Sequence, residues 1–342
     1  MQDPVFNPER LGIHYFADSE HYNSAELETW LPKIKSLGFR WITLRAPLDR
    51  AISETFLRGL HQANLRPIIH LPLSLKDKQD VQETEGLLKA YANWGVRYVA
   101  FFERPNLRSA WPDAGWTQRG LVERFLNRFT PLAEAAVDAG LCPVFAPLEP
   151  GGDYWDTAFL RSALEQMVAN GEDDIVSQMA LGAYAWTGDK DLGWGAGGPE
   201  NWPASLPYFT PEHSEDQRGF RIFDWYNAIA RATVGKELPL IILGAGDQAH
   251  EAGSAGKHGH RFVEMAQQAV LLPSEQQPLQ GLPANVVACN FWLLASDDQC
   301  GWFSPSGRPR PVLAHWLAWK QGQGAPAARK AGMALATATV ND

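Results

Sequence analysis

Short runs of apolar, β-favouring residues alternate along the chain with amphipathic stretches of helical period. LGIHYF (11–16) reads as a first strand, and SAELETWLPKIKSLG (24–38) as a helix with Ser24 as N-cap and Gly38 as stop. RWITLRA (40–46) and RPIIHLPL (66–73) are the second and third strands, with helices near 53–63 and through Leu87 to Trp94. VRYVAFFE (96–103), CPVFAPL (142–148), a run within DIVSQMALGAYAW (174–186), LPLIILGAG (238–246) and VVACNFWLLA (286–295) supply five more. Helical patterns follow these over Leu121–Ala139, Thr157–Asn170, Gly219–Val234, Gly259–Val270 and Pro311–Trp319. Strands that are apolar without alternation suit a sheet buried on both faces. Eight βα units in unbroken order predict an α/β fold, a closed (β/α)8 TIM barrel. An open doubly wound sheet is the alternative, but no GxGxxG follows the first strand.

On this reading residues 1–320 form one barrel. The Gly- and Ala-rich segment 321–342 is a linker or flexible tail, with room for an additional domain beyond it. Residues 187–218 make a long connection without a periodic element. Its aromatics, Trp194, Trp202, Tyr208 and Phe209, argue against disorder and for a lid over the strand ends.

Composition narrows the partners. The chain has 342 residues, of which 45% are hydrophobic and 20% charged, an ordinary globular mix. Acidic residues outnumber basic ones 39 to 30, so the net charge of −9 excludes nucleic acid and anionic membrane as partners. No apolar run approaches the ~20 residues of a spanning helix. The start, MQDPVFNPERLG, has no apolar signal core, which makes the chain soluble as given and leaves secreted and cytoplasmic locations open. Cys142, Cys289 and Cys300 are too scattered for a disulfide framework and read as small buried hydrophobes. The 14 tryptophans are the unusual feature, because Trp111, Trp116, Trp155, Trp186, Trp194, Trp202 and Trp302 fall in predicted loops. Loop tryptophans suit flat apolar ligands and the faces of sugars.

In a TIM barrel the site lies at the C-terminal strand ends. There the sequence places His14, Tyr15, Arg45, His70, Glu103, Arg104, Asn106, Glu149 and Asp153 from the first five units. Tyr184, Trp186, Asp247, Gln248, Asn290, Trp292, Asp297 and Asp298 come from the last three. Any one of these has an ordinary structural reading; their convergence on one rim predicts a site. An HExxH spacing, a GxSxG elbow and a GxxxxGK[ST] loop are absent. His250, His258 and His260 sit in a Gly-rich stretch that reads as a solvated loop. No metal and no cofactor are expected.

Taken in order, several segments resemble the clan A glycoside hydrolases, the retaining (β/α)8 glycosidases. WITLRAPLD resembles the clan's Arg-bearing second strand, and FFERPNLRSAW its Asn-Glu-Pro motif at the fourth strand end. LPLIILGAGD resembles its seventh strand, and NFWLLASDDQCGWFSPSGRPRPVLAHW its eighth, with the Trp. The likeness spans roughly residues 10–320. It implies a cleft for an oligo- or polysaccharide, lined by His14, Arg45, His70, Asn106, Tyr184, Trp186, Asn290, Trp292 and Trp302.

The clan's chemistry needs two carboxylates about 5–5.5 Å apart. Aligned on Pro105 and Asn106, Arg104 stands at the acid/base position; aligned on Gly246, Gly244 stands at the nucleophile. Glycine cannot attack an anomeric carbon, and a guanidinium does not give up its proton. A displaced pair drawn from Glu103, Glu149 and Asp247, with Asp153 as a further source, would restore hydrolysis. Glu103 needs a bulge to enter the cleft, since neighbouring strand residues face opposite sides. Two functions follow: a glycoside hydrolase with displaced carboxylates, or a non-catalytic glycan-binding or scaffold barrel.

Overall fold

Eight parallel strands close into a barrel in chain order, each hydrogen-bonded to its sequence neighbours and the last to the first. They are β1 Leu11–His14, β2 Trp41–Arg45, β3 Arg66–Leu71, β4 Tyr98–Phe101, β5 Cys142–Leu148, β6 Ala180–Trp186, β7 Leu240–Gly246 and β8 Val286–Phe291. The structure, a computed structural model, describes residues 8–77, 80–246, 264–270, 279–297 and 301–323. Asp247, Gln248, Asp298, Cys300, the three histidines of the Gly-rich stretch and the proposed tail from 324 lie outside them.

The strands are apolar on both faces because each face meets a different core. Trp41, Ile68, Tyr98, Val144, Ala180, Ile241, Leu243 and Ala288 pack together in the barrel interior. The alternate residues pack outward against the helices. Phe145 on β5 meets Phe125 and Phe129 of the helix Leu121–Asp138 at ring-centroid distances of 5.5 and 5.2 Å. Truncating such a ring costs about 3–5 kcal/mol.

The element boundaries move in informative places. β1 ends at His14, so Tyr15 falls outside the barrel wall, buried against Phe16, Tyr22 and Phe56. The residues before β6 form a short helix, Asp173–Gln178. Trp302 is fully buried between Phe39, Phe291 and Trp316, in the layer between strands and helices. It is a core residue and does not line the mouth.

The long connection is folded, but not as a lid over the strand ends. Its hub is the buried Asp216: Oδ1 accepts from Trp194 Nε1 (3.1 Å) and Arg218 N (3.0 Å), and Oδ2 from Thr210 Oγ1 (2.7 Å) and Arg218 Nε (2.9 Å). Burial opposes ionisation of Asp216, yet these hydrogen bonds hold its carboxyl well below the usual range. The loop lies on the barrel flank, where Trp225 Nε1 of the helix Ile222–Val234 donates to Gly195 O (2.9 Å) and Gly197 N donates to Asp224 (2.9 Å).

Asp156 ties the fifth unit to the sixth. Its Oδ1 accepts from Gly151 N (2.8 Å) and Gln217 Nε2 (2.6 Å), and its Oδ2 from the Tyr226 hydroxyl (3.3 Å). The group is fully buried and has hydrogen bonds but no cation beside it, and burial raises its pKa to about 6.

Candidate functional site

The backbone at the end of β4 settles how Glu103 enters the mouth. Phe102 and Arg104 both adopt left-handed conformations, with φ of 62° and 50°. For non-glycine residues this costs about 1–2 kcal/mol each. The distortion is anchored on both sides, as Phe102 N donates to Leu71 O and Arg104 N to Pro147 O, each at 2.9 Å. Strand alternation is broken, so two successive side chains, Glu103 and Arg104, point into one space.

There they form a charged arc. Arg45 donates to Glu103 Oε2 at 2.6 Å, and the Tyr184 hydroxyl donates to Glu103 Oε1 at 3.2 Å. Arg104 Nε lies 3.7 Å from Glu103 Oε1 and 3.3 Å from Glu149 Oε2, in charge contacts without hydrogen-bond alignment. Because one nitrogen touches both, these two carboxylate oxygens are at most 7.0 Å apart. The Arg104 guanidinium also lies 4.9 Å from the centre of the Tyr184 ring.

The two carboxylates are pushed in opposite directions. Burial works against ionised Glu103, but the His70 ring, Arg45 and Arg104 outweigh it and hold its pKa at about 2. Burial raises Glu149, the charge of Glu103 adds to this, and Arg104 only partly offsets it. Both histidines are neutral at pH 7. Burial takes His14 down to about 3 and lowers His70 as well. At neutral pH the guanidiniums, not His70, therefore keep Glu103 ionised. His70 Nε2 lies 2.8 Å from Phe102 O, an acceptor, so that nitrogen carries the proton and Nδ1 is left without a partner.

The other side of the mouth is an aromatic arc. Tyr184 and Trp186, two apart on β6, stack at 5.1 Å and 16°. Trp186 meets Trp292 edge-on at 5.8 Å, and Trp292 meets His14 at 4.5 Å. Gly244 lies beneath the stacked pair: a Cβ built there comes within 2.9 Å of Trp186 Cη2 and 3.1 Å of Tyr184 Cδ1. The space that a β7 nucleophile needs is filled by rings.

Thus Arg45, Glu103, Glu149, Tyr184, Trp186, Trp292, His14 and His70 come together. Asn106 and Asn290 are placed differently. Asn106 is fully buried; its Nδ2 donates to Glu149 O (2.8 Å) and Tyr154 O (2.9 Å), and its Oδ1 accepts from Glu149 N (2.8 Å). It shapes the β5 loop, and its full burial keeps it out of the mouth. Asn290 is also fully buried and donates to Ile242 O at 2.9 Å, below the rim. Asp153 accepts from Arg108 N (2.8 Å), joining the β4 and β5 loops. Sequence reasoning missed Arg218, because its contact with Trp155 crosses about 60 residues and leaves no periodic trace. Among the described residues no three His, Cys, Asp or Glu side chains gather to hold a metal, and no helix is long and apolar enough to cross a membrane.

No protein-family model and no curated protein matches the chain. Solved structures do match. A 4-O-alpha-L-rhamnosyl-beta-D-glucuronidase from Fusarium oxysporum aligns with a TM-score of 0.55 at 9% identity, over 92% of this chain and 69% of its own. Bacteroides uniformis beta-glucuronidase 2 aligns at 0.54 and 12% identity, over 92% of this chain, which spans only 35% of that enzyme. A GH128 (subgroup II) endo-beta-1,3-glucanase from Sorangium cellulosum aligns at 0.51 and 13%, over 90% of this chain and 98% of its own. At such identities the likeness is one of fold: this chain has a (β/α)8 barrel like those that carry glycoside hydrolases.

Proposed function

We propose that this barrel binds a carbohydrate at its strand-end mouth without performing retaining glycoside hydrolysis. The observation that carries this reading is Arg104 between Glu103 and Glu149, 3.7 Å from one carboxylate and 3.3 Å from the other. A retaining pair needs an open gap with the anomeric carbon in it. Here a permanent cation takes that position, and rings take the place of a β7 nucleophile. Sugar binding needs neither carboxylate free. Trp292 offers a partly open aromatic face, and Arg45 offers a polar contact already oriented by Glu103.

A second reading rests on the opposed pKa shifts. Glu149, raised, has the character of a general acid, and Glu103, held ionised, that of a base or nucleophile. A separation of up to 7.0 Å between their nearest charge-paired oxygens suits either an inverting or a retaining spacing once Arg104 moves aside. The two readings separate in one experiment: a glycan-binding array run beside a panel of chromogenic glycosides and polysaccharides. Binding with a blank hydrolysis panel is the expected result. Turnover abolished by Glu149→Gln and by Glu103→Gln overturns the first reading in favour of the second.

A further inference from the structure

The tip of the long connection exposes large apolar side chains that the barrel has no need to expose. Leu206, Tyr208 and Phe209 are 59%, 60% and 60% accessible, side by side on a tight turn closed by Leu206 N donating to Phe209 O (2.9 Å). The tip is held firmly. Trp155 N donates to the Tyr208 hydroxyl at 2.8 Å, and the two rings lie 5.3 Å apart. The same hydroxyl comes within 3.5 Å of Asp153 O, four residues past Glu149 and hence at most ~14 Å of chain from it.

Between tip and mouth lies Arg218. Its stem packs on Gly151, where an added Cβ would come within 2.5 Å of Arg218 Cδ, and its guanidinium lies 5.1 Å from the centre of the Trp155 ring. Past the tip, a groove of about 520 Å³ opens on the flank. Trp155, Leu206 and Pro207 supply flat apolar walls, and Arg161, Ser162 and Glu165 of the helix Asp156–Ala169 supply donors and acceptors.

We infer that this rim and groove bind the continuation of the same glycan, so that the ligand is an extended neutral polysaccharide and not a mono- or disaccharide. The inference rests on the carbohydrate reading of the mouth and is continuous with it through Glu149, Gly151, Arg218 and Trp155. Alternating aromatic faces and hydrogen-bonding side chains are what a chain of pyranose rings presents in complement. Neutrality follows from charge. In the mouth two guanidiniums balance two carboxylates, the groove is lined by one cation and one anion, Arg161 and Glu165, and the whole chain carries −9, which repels a polyanion.

The test is calorimetric titration of the full chain with neutral glucose-, xylose- and mannose-based oligosaccharides of two to eight units. Affinity is expected to climb with length for one of the series. Phe209→Ala and Tyr208→Ala should weaken the longest oligomer about tenfold and leave the shortest unchanged, while Tyr208→Phe keeps most of the affinity. Phe209 is exposed, so its variant tests the idea without threatening the fold. Binding that does not strengthen with length, or is indifferent to Phe209→Ala, overturns this inference and leaves the reading of the mouth standing. A groove that captures a protein partner instead, its binding lost with Phe209→Ala, overturns it likewise. Failure of every oligosaccharide at every length overturns both.

Discussion

The two arcs of the mouth solve the problem of burial in opposite ways. On β2, β4 and β5, ionised groups are brought together until each charge faces another: Arg45 on Glu103, and Arg104 on both Glu103 and Glu149. On β6, β8 and β1, charge is absent and rings fill the volume, leaving Trp186 Nε1 and His14 Nδ1 without hydrogen-bond partners. The charged arc pairs its charges with one another, yet Arg104 Nε and Glu149 Oε2 make no hydrogen bond. The aromatic arc likewise keeps unspent donor and acceptor capacity, and its rings add flat faces that suit a polar, ring-shaped ligand.

The largest effect should come from forcing charge into the aromatic arc. Gly244→Glu must displace Tyr184 and Trp186 and bury an unpaired carboxylate, a loss of ~4 kcal/mol or more by urea unfolding. A variant as stable as the wild type would mean that the arc has room for a nucleophile after all. Next is the removal of charge from the other arc. Arg104→Met keeps the stem but leaves Glu103 and Glu149 facing each other, at a cost of ~3 kcal/mol at pH 8. Glu149 is raised in the folded state, so its contribution is favourable at low pH and lost as pH rises. The deficit of the variant should therefore shrink at pH 5; an equal deficit at both pH values would break the charge argument.

Asp156 is the contrasting case, a carboxylate buried without the His70, Arg45 and Arg104 that surround Glu103. Its pKa rises to about 6 where that of Glu103 falls to about 2. A folded pKa above the unfolded value gives stability that is complete below ~4 and is lost as pH rises through about 6. Asp156→Asn keeps Oδ1 for Gly151 and Gln217 and can donate to Tyr226. The variant should be more stable than wild type by roughly 2 kcal/mol at pH 8, with the gain gone near pH 4. Parallel unfolding curves at the two pH values would refute it. The smallest effect is Tyr184→Phe, which removes one hydrogen bond from Glu103 at a cost of about 1 kcal/mol and leaves the stack on Trp186 intact.

Much of this was legible in the sequence, and what was not has physical reasons. The strands were visible because they are apolar on both faces, and the rim followed from the rule that a barrel's site lies at its strand ends. Arg45, Glu103, Tyr184 and Trp292 could be placed around one mouth on that basis. The way Glu103 gets there was hidden, because left-handed backbone at a Phe and an Arg has no residue-type signature. Trp302 and Tyr15 looked like ligand-facing aromatics, but both lie outside the strands and pack in the layer between barrel and helices. Asn106 looked like a polar rim group, yet it is fully buried and its amide is turned to the β5 loop.

The Asp216 hub bears on the timing of binding as well as its strength. A loop of some thirty residues usually loses conformational freedom when a ligand arrives, and that loss subtracts from affinity and slows capture. Here that freedom is already surrendered to hydrogen bonds within the fold, from Thr210, Trp194 and Arg218. Ligand capture should then be a single-step encounter with no slower isomerisation behind it, and its entropy should reflect released water and not an ordered loop.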